Sequence, residues 1–151
     1  PLASLALLAQ GPDVVAGLIG GLPEATLTAV PAPDVWSLQR TVQHLVDAQN
    51  ILASRIDRML AEDDPPLVMN AIWQWSAAAQ DTHSMLADFQ HRRAATVALL
   101  EALPMKAWGR TGRHTEFGRV TLLQQVGYFA YHEAFHYPDF VEKRRQLGVT
   151  D

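Results

Sequence analysis

Three stretches of this chain place their core positions at alternating steps of four and three residues, and that spacing admits little besides a helical bundle. Leu38, Val42, Leu45, Gln49, Leu52, Ile56 and Met59 step by 4,3,4,3,4,3. In an α-helix, residues so spaced form one stripe along one side, the seam by which helices pack. The stepping returns in Thr82, Leu86, Phe89, Arg93, Thr96, Leu100 and Leu103, and again in Leu122, Val126, Phe129, Glu133, His136 and Phe140. No run sustains the period-two alternation of a half-buried strand, so no sheet is expected.

Punctuation sets the helix ends. A first apolar helix covers residues 2–21, restarting at Pro12 and ending at Gly20-Gly21. Pro23, Pro31 and Pro33 mark residues 23–36 as a connection. Ser37 caps a helix running to about Leu60, which Asp63-Asp64-Pro65-Pro66 ends. A third helix is expected from about Gln74 to Leu103, and a second loop, rich in Gly and Arg, from Pro104 to Arg119. Thr121 caps the last helix, which reaches about Leu147 with Gly148 as its C′ residue. Four amphipathic helices around one core make a four-helix bundle, and 151 residues make one domain, 1–151.

Composition closes off several functions. Twelve Lys+Arg against sixteen Asp+Glu give a net charge of −4, which lacks the basic surface of a general nucleic-acid binder. No stretch approaches the ~18–20 apolar residues of a membrane span. The apolar start has no basic region before it, so a cytoplasmic protein is expected. The chain has no Cys, which removes disulfides, thiolate ligands and a protein-borne thiol nucleophile. Its chemistry must therefore be sought among six His.

Two of these form His132-Glu133-Ala134-Phe135-His136 on the last helix. Imidazoles at i and i+4 lie about 40° apart on the helix wheel, one above the other, which suits chelation of one ion. In a chain of this composition such a string arises by chance with a probability of about 0.01. The stepping puts Glu133 and His136 on the core seam and His132 on its flank. A carboxylate facing a core needs a cation, a metal or a full set of donors, so the alternative to a site is a buried Glu–His pair or a salt bridge from Glu133 to Arg93, which also falls on a seam. A zincin-type protease, with Glu133 as general base, is the obvious reading of the string. It is weakened by the fifteen residues left after His136, by Glu142 at the position of a third downstream ligand, and by the lack of a strand edge for a peptide. A further ligand should then come from upstream, where His44, beside the seam residue Leu45, is the best placed. His83 and His91 have polar neighbours, and His114 lies in the Arg-rich loop, either solvated or at a site.

With these residues in place, the chain resembles the DinB/YfiT-like superfamily. Trp36-Ser37 and His44-Leu45-Val46-Asp47-Ala48-Gln49 resemble its HLxDxE segment, with Gln49 where the acidic residue is usual. Phe89 and Arg93 match its third helix. Gly118-Arg119-Val120-Thr121, His132 to His136 and Arg144-Arg145-Gln146-Leu147-Gly148 match the fourth. The resemblance spans residues 30–148 and implies a bundle of up-down-down-up topology, frequently a homodimer. It also implies a metal site of three imidazoles, His44, His132 and His136, holding zinc or nickel, with iron or manganese behind them.

The function implied is a metal-dependent enzyme acting on a small molecule, with water or a low-molecular-weight thiol as nucleophile. Glu133 is its candidate proton acceptor. The competing class is a non-catalytic metal-binding or interaction module. Around the site, Asp139 shares the imidazole face as a candidate acceptor, and Pro138 should kink the helix just past His136. Tyr128 and Gln125 share the metal-facing arc, where they either contact substrate or, as aromatic packing favours for Tyr128, belong to the core. Arg110, Arg113 and Arg119 either bind an anion beside the site or form a solvated loop. Trp73 and Trp75 belong to a dimer face or to the core.

Overall fold

A computed structural model describes residues 2–68 and 81–150. Its long helices are α1 (Leu2–Ile19), α3 (Leu38–Ala61), α4 (Thr82–Glu101) and α5 (Leu122–Gln146). A short helix α2 (Glu24–Thr28) lies within the Pro-rich connection after α1. The expected start of the third helix at Gln74, with Trp73 and Trp75, lies outside the described residues.

The caps act as their chemistry dictates. Ser37 accepts from the Arg40 N–H at 3.1 Å, and Asp81 from that of Ser84 at 2.9 Å. Thr121 and Gln124 form a reciprocal capping box at the start of α5. At its other end Gly148 takes φ +72°, while Val149 N donates to Arg144 O and Gly148 N to Arg145 O, a Schellman motif.

Contacts between helices fix the topology. Thr41 near the start of α3 meets Lys143 near the end of α5, and Arg55 meets Gln125, so α3 and α5 are antiparallel. Gln49 reaches Arg93 and Thr96, with Val42 and Leu45 packing near Met85 to Phe89 and Leu52 to Met59 near Val97 to Leu100, so α3 and α4 run parallel. Arg144 donates to Leu18 O, which sets the ends of α1 and α5 together. The bundle is therefore up-down-down-up, and α1 and α3 each pack against α4 and α5.

A small sheet corrects the expectation of none. Strands β1 (Pro66–Leu67), β2 (Thr111–His114) and β3 (Gly118–Thr121) form it, with β1 parallel and β3 antiparallel to β2. A 3-10 turn over Met105–Gly109 precedes it. Strands of two to four residues are too short to show alternation, yet they bury Leu67, Val120 and His114. Arg110, Arg113 and Arg119 bind this hairpin to the end of α3, through Met59 O, Glu62 O, Asp63 and Asp64.

The core divides into two apolar clusters with a polar belt between them. One joins Leu5, Leu8, Leu52, Ile56, Leu100 and Phe129, and the other Val15, Ile19, Leu38, Leu45, Phe89 and Phe140. Between them, each helix contributes one level of unusual residues: Gly11-Pro12, His44 and Gln49, Arg93, and Glu133. Pro12 does not restart α1, which runs through it. Proline has no N–H for Leu8 O, and the Arg93 Nη1 supplies the missing donor at 2.8 Å.

Candidate metal centre

His132 and His136 lie one turn apart on α5, and antiparallel α3 brings His44 opposite them. Their Nε2 atoms converge, His44 to His132 at 3.2 Å and His136 to His132 at 3.4 Å. One ring nitrogen from each lies within 4.8 Å of the other two. The ligands of a tetrahedral ion bound through imidazole nitrogens stand about 3.3–3.4 Å apart, so the cluster has the dimensions of one coordination sphere. His44 is 7% exposed, and the α5 pair is half-buried.

Burial disfavours the charged form of all three rings and so favours the neutral state in which imidazole ligates. Burial first, then His136, His132 and Lys143, brings His44 down to about 4. Burial likewise lowers His132, and burial followed by His132 lowers His136. Three ring nitrogens aimed at one point need shared protons or a cation between them, and the donor set fits a divalent ion. The Trp36 ring packs against His44 with centroids 5.4 Å apart, and Tyr128 stacks on His132 at 6.3 Å. Asp139, expected to accept from an imidazole, accepts instead from buried Lys143 Nζ at 2.5 Å, which also reaches Thr41 Oγ1 at 2.7 Å. Helix α5 continues unbroken through Pro138.

Glu133 occupies the polar belt. Its Oε1 accepts from Arg93 Nη1 at 3.0 Å and from the Tyr137 hydroxyl at 3.2 Å, and its Oε2 from Arg93 Nη2 at 2.5 Å. The two side chains are 3% and 5% exposed. Among the described residues, no imidazole is a hydrogen-bond partner of this carboxylate. Burial and the Glu133 charge push the Tyr137 phenol above the ordinary tyrosine range. Gln49 joins the network, accepting from Arg93 Nε and donating to Thr96 Oγ1. With Glu133 already balancing Arg93, a neutral amide at position 49 suffices.

Beside the imidazoles lies a pocket of about 270 Å³, walled by His44, Arg55, His114, Tyr128, Phe129 and His132 among others. Sequence reasoning did not place Arg55 there and left His114 open between solvent and a site, of which the structure gives the second. His44, Ala48, Ile51 and Arg55 step by 4,3,4 along the flank of the α3 seam and all four line the pocket, a pattern legible in advance. His114 gave no such signal, because it ends a four-residue strand. It is buried, its Nδ1 accepts from the Glu116 and Phe117 N–H groups, and so its Nε2 carries the proton. Burial and then Arg55 lower its pKa. Tyr128 is 42% exposed at the pocket rather than packed in the core, while buried Gln125 accepts from Arg55. None of Arg110, Arg113 and Arg119 lines the pocket. His83 and His91 lie on α4, outside the cluster.

Fold and site together define an all-α bundle with a three-imidazole cluster at mid-height, open to a pocket. The chain belongs to the DinB superfamily, whose sequence profile matches residues 7–138. Among solved structures it is similar to YfiT from Bacillus subtilis, described as a probable metal-dependent hydrolase with an unusual four-helix bundle topology. That likeness has a TM-score of 0.85 at 21% identity and covers 98% of this chain and 87% of the other. It is also similar to the DinB-like protein YjoA from Bacillus subtilis, with a TM-score of 0.72 at 17% identity, over 99% and 94% of the two chains. No curated protein matches the chain in sequence. Among the described residues, no helix is long and apolar enough to cross a membrane.

Proposed function

We propose that this chain is a divalent-metal-dependent enzyme that turns water, or a low-molecular-weight thiol, against a small molecule held in the adjoining pocket. The observation that carries this reading is the convergence of three imidazole nitrogens beside that pocket, which two of the rings, His44 and His132, line. Three protein ligands leave coordination positions open, whereas a purely structural ion is closed off by four. When bound, the ion supplies Lewis acidity and a nucleophile ionised near neutral pH. Zinc and nickel suit an all-imidazole set best, with iron or manganese as further candidates. The description of YfiT as a probable metal-dependent hydrolase supports the same class.

The chain's own residues have separable tasks. His44, His132 and His136 hold the ion, and Trp36 and Tyr128 pack against two of the rings and limit their rotation. Ile51 and Phe129 give the pocket apolar walls that exclude water. His114, with Nδ1 engaged by backbone, keeps Nε2–H as a donor among the pocket residues. Glu133 is tied to Arg93 and Tyr137, and the role it supports best is to hold α5 at the height that sets His132 and His136 opposite His44. Because the chain has no Cys, any thiol must arrive from solution.

Elemental analysis of protein purified without added metal is expected to give close to one ion per chain. His44→Ala and His136→Ala should each lower that content sharply, and wild-type content in both would refute the ligand set. A screen of hydrolysis and thiol transfer, with and without the ion, then separates an enzyme from a metal-binding module.

A further inference from the structure

Arg55 is a buried cation in the pocket wall that forms no ion pair among the described residues; Glu116, which also lines the pocket, is exposed and is not paired with it. Its side chain is 5% exposed, and it makes a single hydrogen bond, from Nη1 to the neutral amide oxygen of Gln125 at 2.9 Å. Its Nε is buried with no acceptor. The guanidinium carbon lies 5.6 Å from the centroid of Phe129. No Asp or Glu of the described residues comes within ion-pair distance, although every other buried cation has one: Arg93 has Glu133, and Lys143 has Asp139. A guanidinium has five N–H donors, and burying its charge without a counterion is costly, so such a group persists where an anion completes it.

The anion's class follows from the surroundings. His44 and Arg55 are on the same face of α3, three turns apart, with Ala48 and Ile51 between them. The pocket thus runs from an imidazole wall at one end to a guanidinium at the other, with Ala48, Ile51 and Phe129 as apolar sides and Thr115, Glu116 and Tyr128 completing the lining. One uncompensated charge with planar fork geometry matches a monoanionic carboxylate better than a dianionic phosphate. We infer that Arg55 binds the carboxylate of a small substrate whose apolar body lies along Ala48, Ile51 and Phe129 and whose reacting group faces the imidazoles. This rests on the metal-centre reading only for the orientation of the substrate. Arg55 and its carboxylate partner stand without it.

The test is titration of the full-length protein with benzoate and with its neutral counterpart benzamide, followed through the methyl signals of Ala48 and Ile51. It is run once in chelator and once with zinc. Benzoate should saturate both signals in chelator, with benzamide weaker by about tenfold or more, the range of a buried charge-assisted hydrogen bond. Arg55→Met should lose the preference for benzoate, and Arg55→Lys should retain part of it. Equal binding of the two ligands, no binding, or shifts confined to other residues would overturn the proposal without need of any variant. Inorganic phosphate competing as well as benzoate would overturn the carboxylate assignment. A chain that binds benzoate but no zinc would refute the metal centre and leave the Arg55 site standing.

Discussion

Gly11 is the residue on which the polar belt most sharply depends. A Cβ at this position would lie 1.7 Å from Glu133 Oε1, 2.9 Å from its Cδ and 3.1 Å from Arg93 Nη1. The carboxylate would have to retreat by about 1.5 Å or more to reach ordinary contact. Its side chain is only 5% exposed, so retreat breaks its bonds to Arg93 Nη1 and Tyr137 rather than exchanging them for water. In Gly11→Ala the helix gains about 1 kcal/mol from the better propensity of alanine. Disrupting a buried ion pair costs about 3–5 kcal/mol. The expected net loss is therefore about 2–4 kcal/mol, read as a urea midpoint lower by about 1–2 M. Gly17→Ala is the control on the same helix. Nothing lies within 4 Å of its Cβ, so it should be neutral or stabilising by up to about 1 kcal/mol. An Arg93→Met, Glu133→Ala background removes the obstacle, and there Gly11→Ala should turn stabilising. A Gly11→Ala midpoint at or above wild type, with the two glycines behaving alike, would refute the packing argument.

Removing one partner of the buried pair, as in Arg93→Met or Glu133→Ala, should cost about 3–5 kcal/mol in denaturant unfolding, because it leaves the other charge buried and alone. Replacing both with Met should cost less than either single change, and adding Pro12→Ala should recover more, by returning an N–H to Leu8 O once Arg93 no longer serves it. Thr121→Ala, which removes one half of the capping box on α5, should lower stability by about 1 kcal/mol while leaving metal content unchanged.

The seams were legible in the sequence because burial and helical periodicity are the same fact seen twice. All seven stepped positions from Leu38 to Met59 are buried, and so is Glu133, which the stepping had already set among apolar neighbours. That Arg93 and Glu133 both fall on seams made their salt bridge one alternative for the buried carboxylate, and the structure places them in bidentate contact. The topology rests on contacts far apart in the chain, such as Arg55 with Gln125, which no local period encodes. The hairpin was missed because its strands are held by pairing with one another and by arginines bound to the end of α3, both long-range. With the hairpin unread, nothing in the sequence could decide between solvent and a site for His114.

The same reasoning explains why the HExxH string misleads here. In a zincin the string's carboxylate serves the ion, but on this α5 Glu133 and His136 share the seam and part company in their contacts, Glu133 bonding Arg93 while His136 meets His132. His132 lies on the flank that faces His44 and the pocket, and Glu133 lies on the seam that faces α1 and α4. One helical turn thus does two jobs that its residue types alone do not reveal. The imidazoles converge on one point because the carboxylate between them is anchored to Arg93, which also ties down α1 through Leu8 O and α3 through Gln49. A motif read as a single active site is better understood as an imidazole pair set on a structural clamp. Of the string only His132 lines the pocket, beside His44, His114 and Arg55, which the string does not contain.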